Sequence, residues 1–296
     1  MRKWLLIIIA LFTFWSIHLF SIPHESNTLS ITQTEESLRY PTLKILLKDE
    51  PLLEALSISQ LEEKINLLSS TTNSKPKEWG LHVTGVKNKL MTNENVLALT
   101  FDACGSPSGN AIDQDLINFL IANNVPSTLF INKRWIEENK EIFLSLANNP
   151  LFQIENHGTD HKPLSVNGQK AYNINGTTTE FEALHEVMEN YKTIYQLTGK
   201  QPKYYRSGTA HYDEVAVALI NELGIEVVNF DINGDAGATS SADKVKHSLL
   251  QAQPGSIAIL HMNQPNSGTA EGVAMAVPLL REKGFQFVKI EDYQLQ

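Results

Sequence analysis

The sequence predicts an α/β fold, a distorted (β/α) barrel of about seven parallel strands. Three observations lead there. From Trp79 onward, short β-branched runs alternate with helical patterns, the texture of repeated βα units. Seven such units fall within about 220 residues, which favours barrel-like closure over an open sheet. Polar candidates also recur at the carboxyl ends of the runs, where parallel α/β folds build their sites.

The expected strands are Val96–Asp102, Ser127–Ile131, Phe152–Asn156, Lys203–Arg206, Glu226–Ile232, Ser256–Met262 and Gln286–Ile290. Between them, Asp113–Asn123 carries Leu116, Phe119 and Leu120 at helical spacing, and Arg134–Asn148 carries Trp135, Ile142 and Leu146. Phe181–Leu197 opens behind Thr179 and Glu182, a capping-box spacing. Asp213–Leu223 ends before Gly224, and Gly272–Lys283 before Gly284, both positioned as C′ glycines. Ala242–Gln251 supplies the remaining helix.

Ahead of this domain, Met1-Arg2-Lys3 precedes Trp4–Phe20, a mostly apolar run without formal charge. That is the pattern of a signal peptide or an uncleaved signal anchor, with the basic end cytoplasmic. The expected organisation is therefore 1–22 as the signal segment, 23–78 as linker and helical arm, and 79–296 as the α/β domain. The domain is expected to be exported, either anchored in the inner membrane facing the periplasm or released.

Composition narrows the chemistry. The 296 residues carry 24 Lys+Arg against 33 Asp+Glu, a net charge of −9, and no basic run, which argues against a nucleic-acid partner. One cysteine, Cys104, excludes an intrachain disulfide framework and any multi-cysteine zinc knuckle.

The candidate residues gather at strand ends. Asp102 closes the first strand, His157 follows the third with His161 four residues on, and Arg206 ends the fourth. Asp231 and Asp235 close the fifth, and His261 the sixth. Two imidazoles four apart can share a zinc-like cation. A half-buried histidine can serve as a general acid, and an arginine can hold a carboxylate bidentately. Taken singly, each has a plain structural reading: loop histidines, a turn cap at Asp102, a core histidine at 261. Their shared placement is what points to a site.

These residues resemble, in order, the motifs of the polysaccharide deacetylase family (NodB homology, carbohydrate esterase family 4). Thr100-Phe101-Asp102 resembles TFDD, His157…His161 the HxxxH metal pair, Arg206 the arginine of the RxPY-type motif, Asp235 the aspartate of DxxDW, and Leu260-His261 the terminal Leu-His. The resemblance implies a metal-dependent hydrolase that removes N-acetyl groups from an envelope glycan, peptidoglycan or another N-acetylglucosamine polymer. Asp102 would be the general base and His261 the general acid, with Arg206 fixing Asp102 and Asp235 orienting His261. His157 and His161 would hold a divalent metal, Zn²⁺ with Co²⁺ or Ni²⁺ as alternatives. The backbone at Thr209 would help hold the oxyanion.

The sequence departs from the pattern at Ala103, where the family has a metal-binding aspartate. The third ligand is then Asp102, Cys104 or a water. Ala236 replaces the family's tryptophan, and the 206–212 segment lacks its proline and tyrosine. His211 and Tyr212 are candidate replacements in the substrate wall, and Asp160 a candidate substrate or water contact. Two other readings are a non-catalytic glycan-binding barrel and an amidohydrolase acting on a small amide.

Overall fold

The computed structural model describes residues 75–105 and 109–296, together with the helical residues 60, 63–64 and 66–68. The expected signal segment and most of the arm lie outside the described residues. Among the described residues, no helix is long and apolar enough to cross a membrane.

The strands are β1 (Val96–Ala103), β2 (Ser127–Ile131), β3 (Phe152–Asn156), β4 (Lys170–Ala171), β5 (Ile174–Asn175), β6 (Tyr204–Tyr205), β7 (Glu226–Val227), β8 (Ile232–Asn233), β9 (Ser256–His261) and β10 (Gln286–Val288). The helices are α1 (Gln114–Ala122), α2 (Lys133–Glu138), α3 (Lys140–Ala147), α4 (Glu180–Thr198), α5 (Glu214–Glu222), α6 (Ala242–Leu249) and α7 (Thr269–Glu282). One curled parallel sheet runs β7-β6-β3-β2-β1-β9-β8, and β10 pairs with the start of β1. The expected βα alternation is therefore observed, as a half-barrel.

Two expectations need correction. The run Glu226–Ile232 is not one strand. Its first part, β7, pairs with β6, while β8 pairs with β9 at the opposite edge of the sheet. Between them the backbone serves other partners: Asn229 donates its N–H to the Lys87 carbonyl, and the Val228 and Asn229 carbonyls accept from Arg206. The expected helix 134–148 is two helices, broken at Asn139, whose side chain bonds the carbonyls of Asn110 and Trp135. The hairpin β4–β5 was not foreseen, because its strands are too short to carry a period-two signal.

Alternation along β1 sets up the site. Leu97, Leu99, Phe101 and Ala103 pack into the apolar core shared with α1, α2 and α7. Thr100 and Asp102 therefore face the barrel interior, and the next inward position is Cys104. Ala103 is wholly buried in that core. Parallel register then places Asp102 beside His261 of β9.

Candidate active site

Asp102 is the centre of a buried ion pair. Its Oδ1 accepts from Arg206 Nη1 at 2.8 Å. Arg206 is fully buried and its other donors are used: Nη1 reaches Thr100 Oγ1 at 2.8 Å, Nη2 the Asn229 carbonyl at 3.0 Å, and Nε the Val228 carbonyl at 3.3 Å. Its guanidinium also lies 4.1 Å over the Phe130 ring. Burial pushes the Asp102 pKa up, but Arg206, His157 and His261 outweigh it, so the net shift is downward. The carboxylate is ionised at neutral pH, with Oδ2 left facing His157 Nε2 at 3.7 Å.

His157 leaves β3 with Nδ1 against the Arg206 carbonyl at 3.0 Å. A carbonyl only accepts, so Nδ1 carries the proton and Nε2 presents a lone pair. That Nε2 lies 3.8 Å from Cys104 Sγ. His161 sits at φ +59°, and a Cβ at Gly208 would collide with its ring and backbone. The unusual backbone turns its ring towards His157, with centroids 5.1 Å apart.

Ligand atoms of Cys104, His157 and His161 all lie within 4.8 Å of one another. Two ligands on a tetrahedral zinc are roughly 3.6 Å apart for a sulfur–nitrogen pair, close to the Cys104–His157 separation. His161 Nε2 is buried without a hydrogen-bond partner, a costly arrangement unless something else takes its lone pair. Burial opposes ionisation of the Cys104 thiol, yet the three rings of His161, His157 and His261 pull its pKa well below the ordinary thiol value. Thiolate and imidazole are the donors that Zn²⁺ and related metals accept. The residues fit a divalent cation, and Cys104 places a third donor beside the two imidazoles where Ala103 offers none.

On the other side of the cleft, His261 Nδ1 meets Asp235 Oδ1 at 2.9 Å. Asp235 Oδ2 accepts from the His261 backbone N–H at 2.7 Å and from Thr269 Oγ1 at 2.9 Å. Burial disfavours the charged ring, but the Asp235 and Cys104 partners prevail and raise its pKa well above 6.5. Asp102, Cys104, His161, Thr209 and His261 line one cleft of about 480 Å³ at the carboxyl ends of the strands. Thr209 Oγ1 is buried there without a partner.

Three sequence candidates lie elsewhere. Tyr212 is fully buried, with its hydroxyl accepting from the Ser207 N–H at 3.0 Å and donating to Asn229 Oδ1 at 3.1 Å. It is a strut behind the cleft, not a substrate wall. Asp231 bonds Ser256 Oγ and the Ile257 N–H, both at 2.8 Å, at the amino end of β9, so it belongs to the opposite end of the barrel. The Asp160 side chain points outward, 56% exposed, beside Lys162. His211 stands at the rim, its Nδ1–H donating to the Thr209 carbonyl at 2.7 Å.

One contributor was missed. Glu186 of α4 is buried and accepts from the N–H groups of Thr159, Asp160 and Lys162, at 2.9–3.2 Å. A Cβ at Gly158 would press on Glu186 Oε1. Burial pushes its pKa up to about 7, against the pull of those N–H groups. Only its helical face, not its chemistry, was visible in sequence. Glu186→Ala is expected to loosen the 157–161 loop and weaken zinc binding about 10- to 100-fold. Glu186→Gln, which keeps one acceptor oxygen, should recover part of that loss in a chelator competition titration.

Residues 89–228 match the family model described as polysaccharide deacetylase. No curated protein matches the chain. Among solved structures, the Bc1960 peptidoglycan N-acetylglucosamine deacetylase is similar with a TM-score of 0.59 and 22% identity, over 70% of this chain and 91% of that one. A family 4 carbohydrate esterase from Bacillus anthracis gives 0.57 and 23%, over 74% and 96%. BA3943, a family 4 pseudoenzyme from Bacillus anthracis, gives 0.57 and 17%, over 68% of this chain and 66% of that one. Solved structures of similar fold thus include a deacetylase and a pseudoenzyme; in this chain the strand ends carry the Cys/His/His cluster beside Asp102. Over residues 89–228, just under half of its length, the chain is thus similar to polysaccharide deacetylases, and its fold is similar to that of family 4 carbohydrate esterases.

Proposed function

We propose that this protein is a metal-dependent N-deacetylase acting on an N-acetylated envelope glycan, with peptidoglycan as the leading substrate. The observation that carries the reading is the facing pair of polar couples, Arg206–Asp102 and Asp235–His261, on either side of the Cys104/His157/His161 cluster. A divalent cation there, zinc by the softness of the donors, would supply Lewis acidity to the acetyl carbonyl and to an attacking water.

The protein's own groups do the proton work. Asp102 keeps Oδ1 tied to Arg206 and receives the water proton on Oδ2. Asp235 holds the His261 ring by Nδ1 and by its backbone N–H, which leaves Nε2 to donate to the departing amine. The backbone N–H of Thr209 is the candidate donor to the developing oxyanion. A pure binding barrel has no use for a paired base and a paired acid. Ala103 takes one carboxylate from the site, and Cys104, the next inward residue, offers a donor in its place.

The direct test is acetate release from N-acetylglucosamine, from its oligomers and from peptidoglycan by the full-length protein loaded with Zn²⁺ or Co²⁺. No acetate from any of them refutes the reading, while release from N-acetylglucosamine alone favours the small-amide alternative. The pH profile of kcat/KM is expected to be bell-shaped. Asp102 works ionised and its pKa is lowered, so activity falls only when pH drops below the usual carboxylate range. His261 works protonated and its pKa is raised, so activity persists through neutrality and falls at alkaline pH.

A further inference from the structure

We propose that Tyr172, His211 and Trp79 form an accessory subsite for further rings of a linear glycan, beside the position that holds the reacting sugar. The inference rests on the glycan reading of the cleft. Tyr172 occupies the tip of the β4–β5 hairpin and is 73% exposed, the most exposed large hydrophobic side chain among the described residues. It lines the cleft together with Ile174. Its backbone is left-handed, with φ +50°, and Asn173 follows at +63°. Two consecutive left-handed residues are what a two-residue hairpin turn requires, and this turn carries Tyr172 at its tip.

An aromatic side chain left 73% exposed at a hairpin tip buries little of its area within the fold. The Tyr172 ring meets His211 edge-on, centroids 5.2 Å apart at 85°, and His211 meets Trp79 at 5.9 Å. The hydrogen bond from His211 to the Thr209 carbonyl ties this row to the cleft floor. The row therefore leads outward from the cleft and is continuous with it. Ala236 and Gly237, which also line the cleft, contribute no large side chain.

The chemistry of the row defines its ligand. Aromatic faces beside polar edges suit a molecule that is flat and apolar on its faces and hydroxylated around its rim. A chain of pyranose rings has that character, and a chain longer than one ring is needed to reach from the cleft to Trp79.

A neutral glucose tetramer, linear and free of acetyl groups, isolates this contact from any reaction. In calorimetric titrations of the full-length protein it is expected to bind at least about tenfold more tightly than glucose. Tyr172→Ala and Trp79→Ala should each remove most of that gain, and Tyr172→Phe should keep it. Equal affinity for glucose and the tetramer, or a gain that survives Tyr172→Ala, overturns the subsite. In parallel, acetate release is measured with N-acetylglucosamine and its tetramer. Tyr172-dependent tetramer binding without acetate release upholds the subsite and rejects the deacetylase reading. Acetate release without length-dependent binding does the reverse.

Discussion

Asp102→Asn is expected to lower kcat/KM for acetate release by about 10³-fold, within the range for loss of a general base and equivalent to about 4 kcal/mol of transition-state stabilisation. The amide keeps the shape of the carboxylate, so the loss falls on proton transfer rather than on substrate contact. A second effect accompanies it. Arg206 sits wholly inside the protein, and its charge is balanced there by Asp102 alone among its hydrogen-bond partners. Removing one partner of a buried ion pair costs about 3–5 kcal/mol. Here the Thr100 hydroxyl, two carbonyls and the Phe130 ring remain to solvate the guanidinium, which puts the cost towards the low end. Thermal melting of the variant, measured beside its kinetics, separates the two effects. A variant that melts several degrees lower yet turns over at the wild-type rate would show that Asp102 is a counter-ion and not a base.

Cys104→Ala should cost more than about 100-fold in zinc affinity, because even residues outside the ligand shell are worth 10- to 100-fold. The variant should also lose the thiolate charge-transfer absorption expected of the Co²⁺-loaded protein. That absorption reports the sulfur–metal bond itself and does not depend on turnover. Cys104→Asp restores an anionic ligand on the same inward face and should bind metal more tightly than Cys104→Ala. If Cys104→Ala binds Co²⁺ with unchanged affinity and spectrum, the thiol is a packing group and Asp102 or a water completes the site.

Much of this was legible in the sequence, for definite reasons. β1, β2, β3 and β9 are long enough for their apolar runs to mark them, and each was expected within a residue or two of its observed bounds. Polar residues at their carboxyl ends were then bound to meet, since parallel strands share one mouth. Ala103 and Cys104 were harder. A list of residues shows a missing aspartate followed by a cysteine, whereas the two faces of β1 show which of the pair can reach a metal. The split of 226–233 was hidden because both halves are equally apolar, and only the partners at either edge divide them. Glu186 was hidden for another reason. Its partners are backbone N–H groups, which leave no trace in the sequence.

The split run has one further consequence. A single stretch of backbone touches both margins of the curved sheet, as a buckle joins two ends of a belt, and its middle offers Arg206 two of its carbonyls. Seating this stretch across both margins is therefore also what encloses the guanidinium. Until the buckle is fastened, the cation stays wet and the neighbouring acid keeps an ordinary affinity for protons. The lowered proton affinity at Asp102 therefore depends on this one stretch being seated at both margins of the half-barrel.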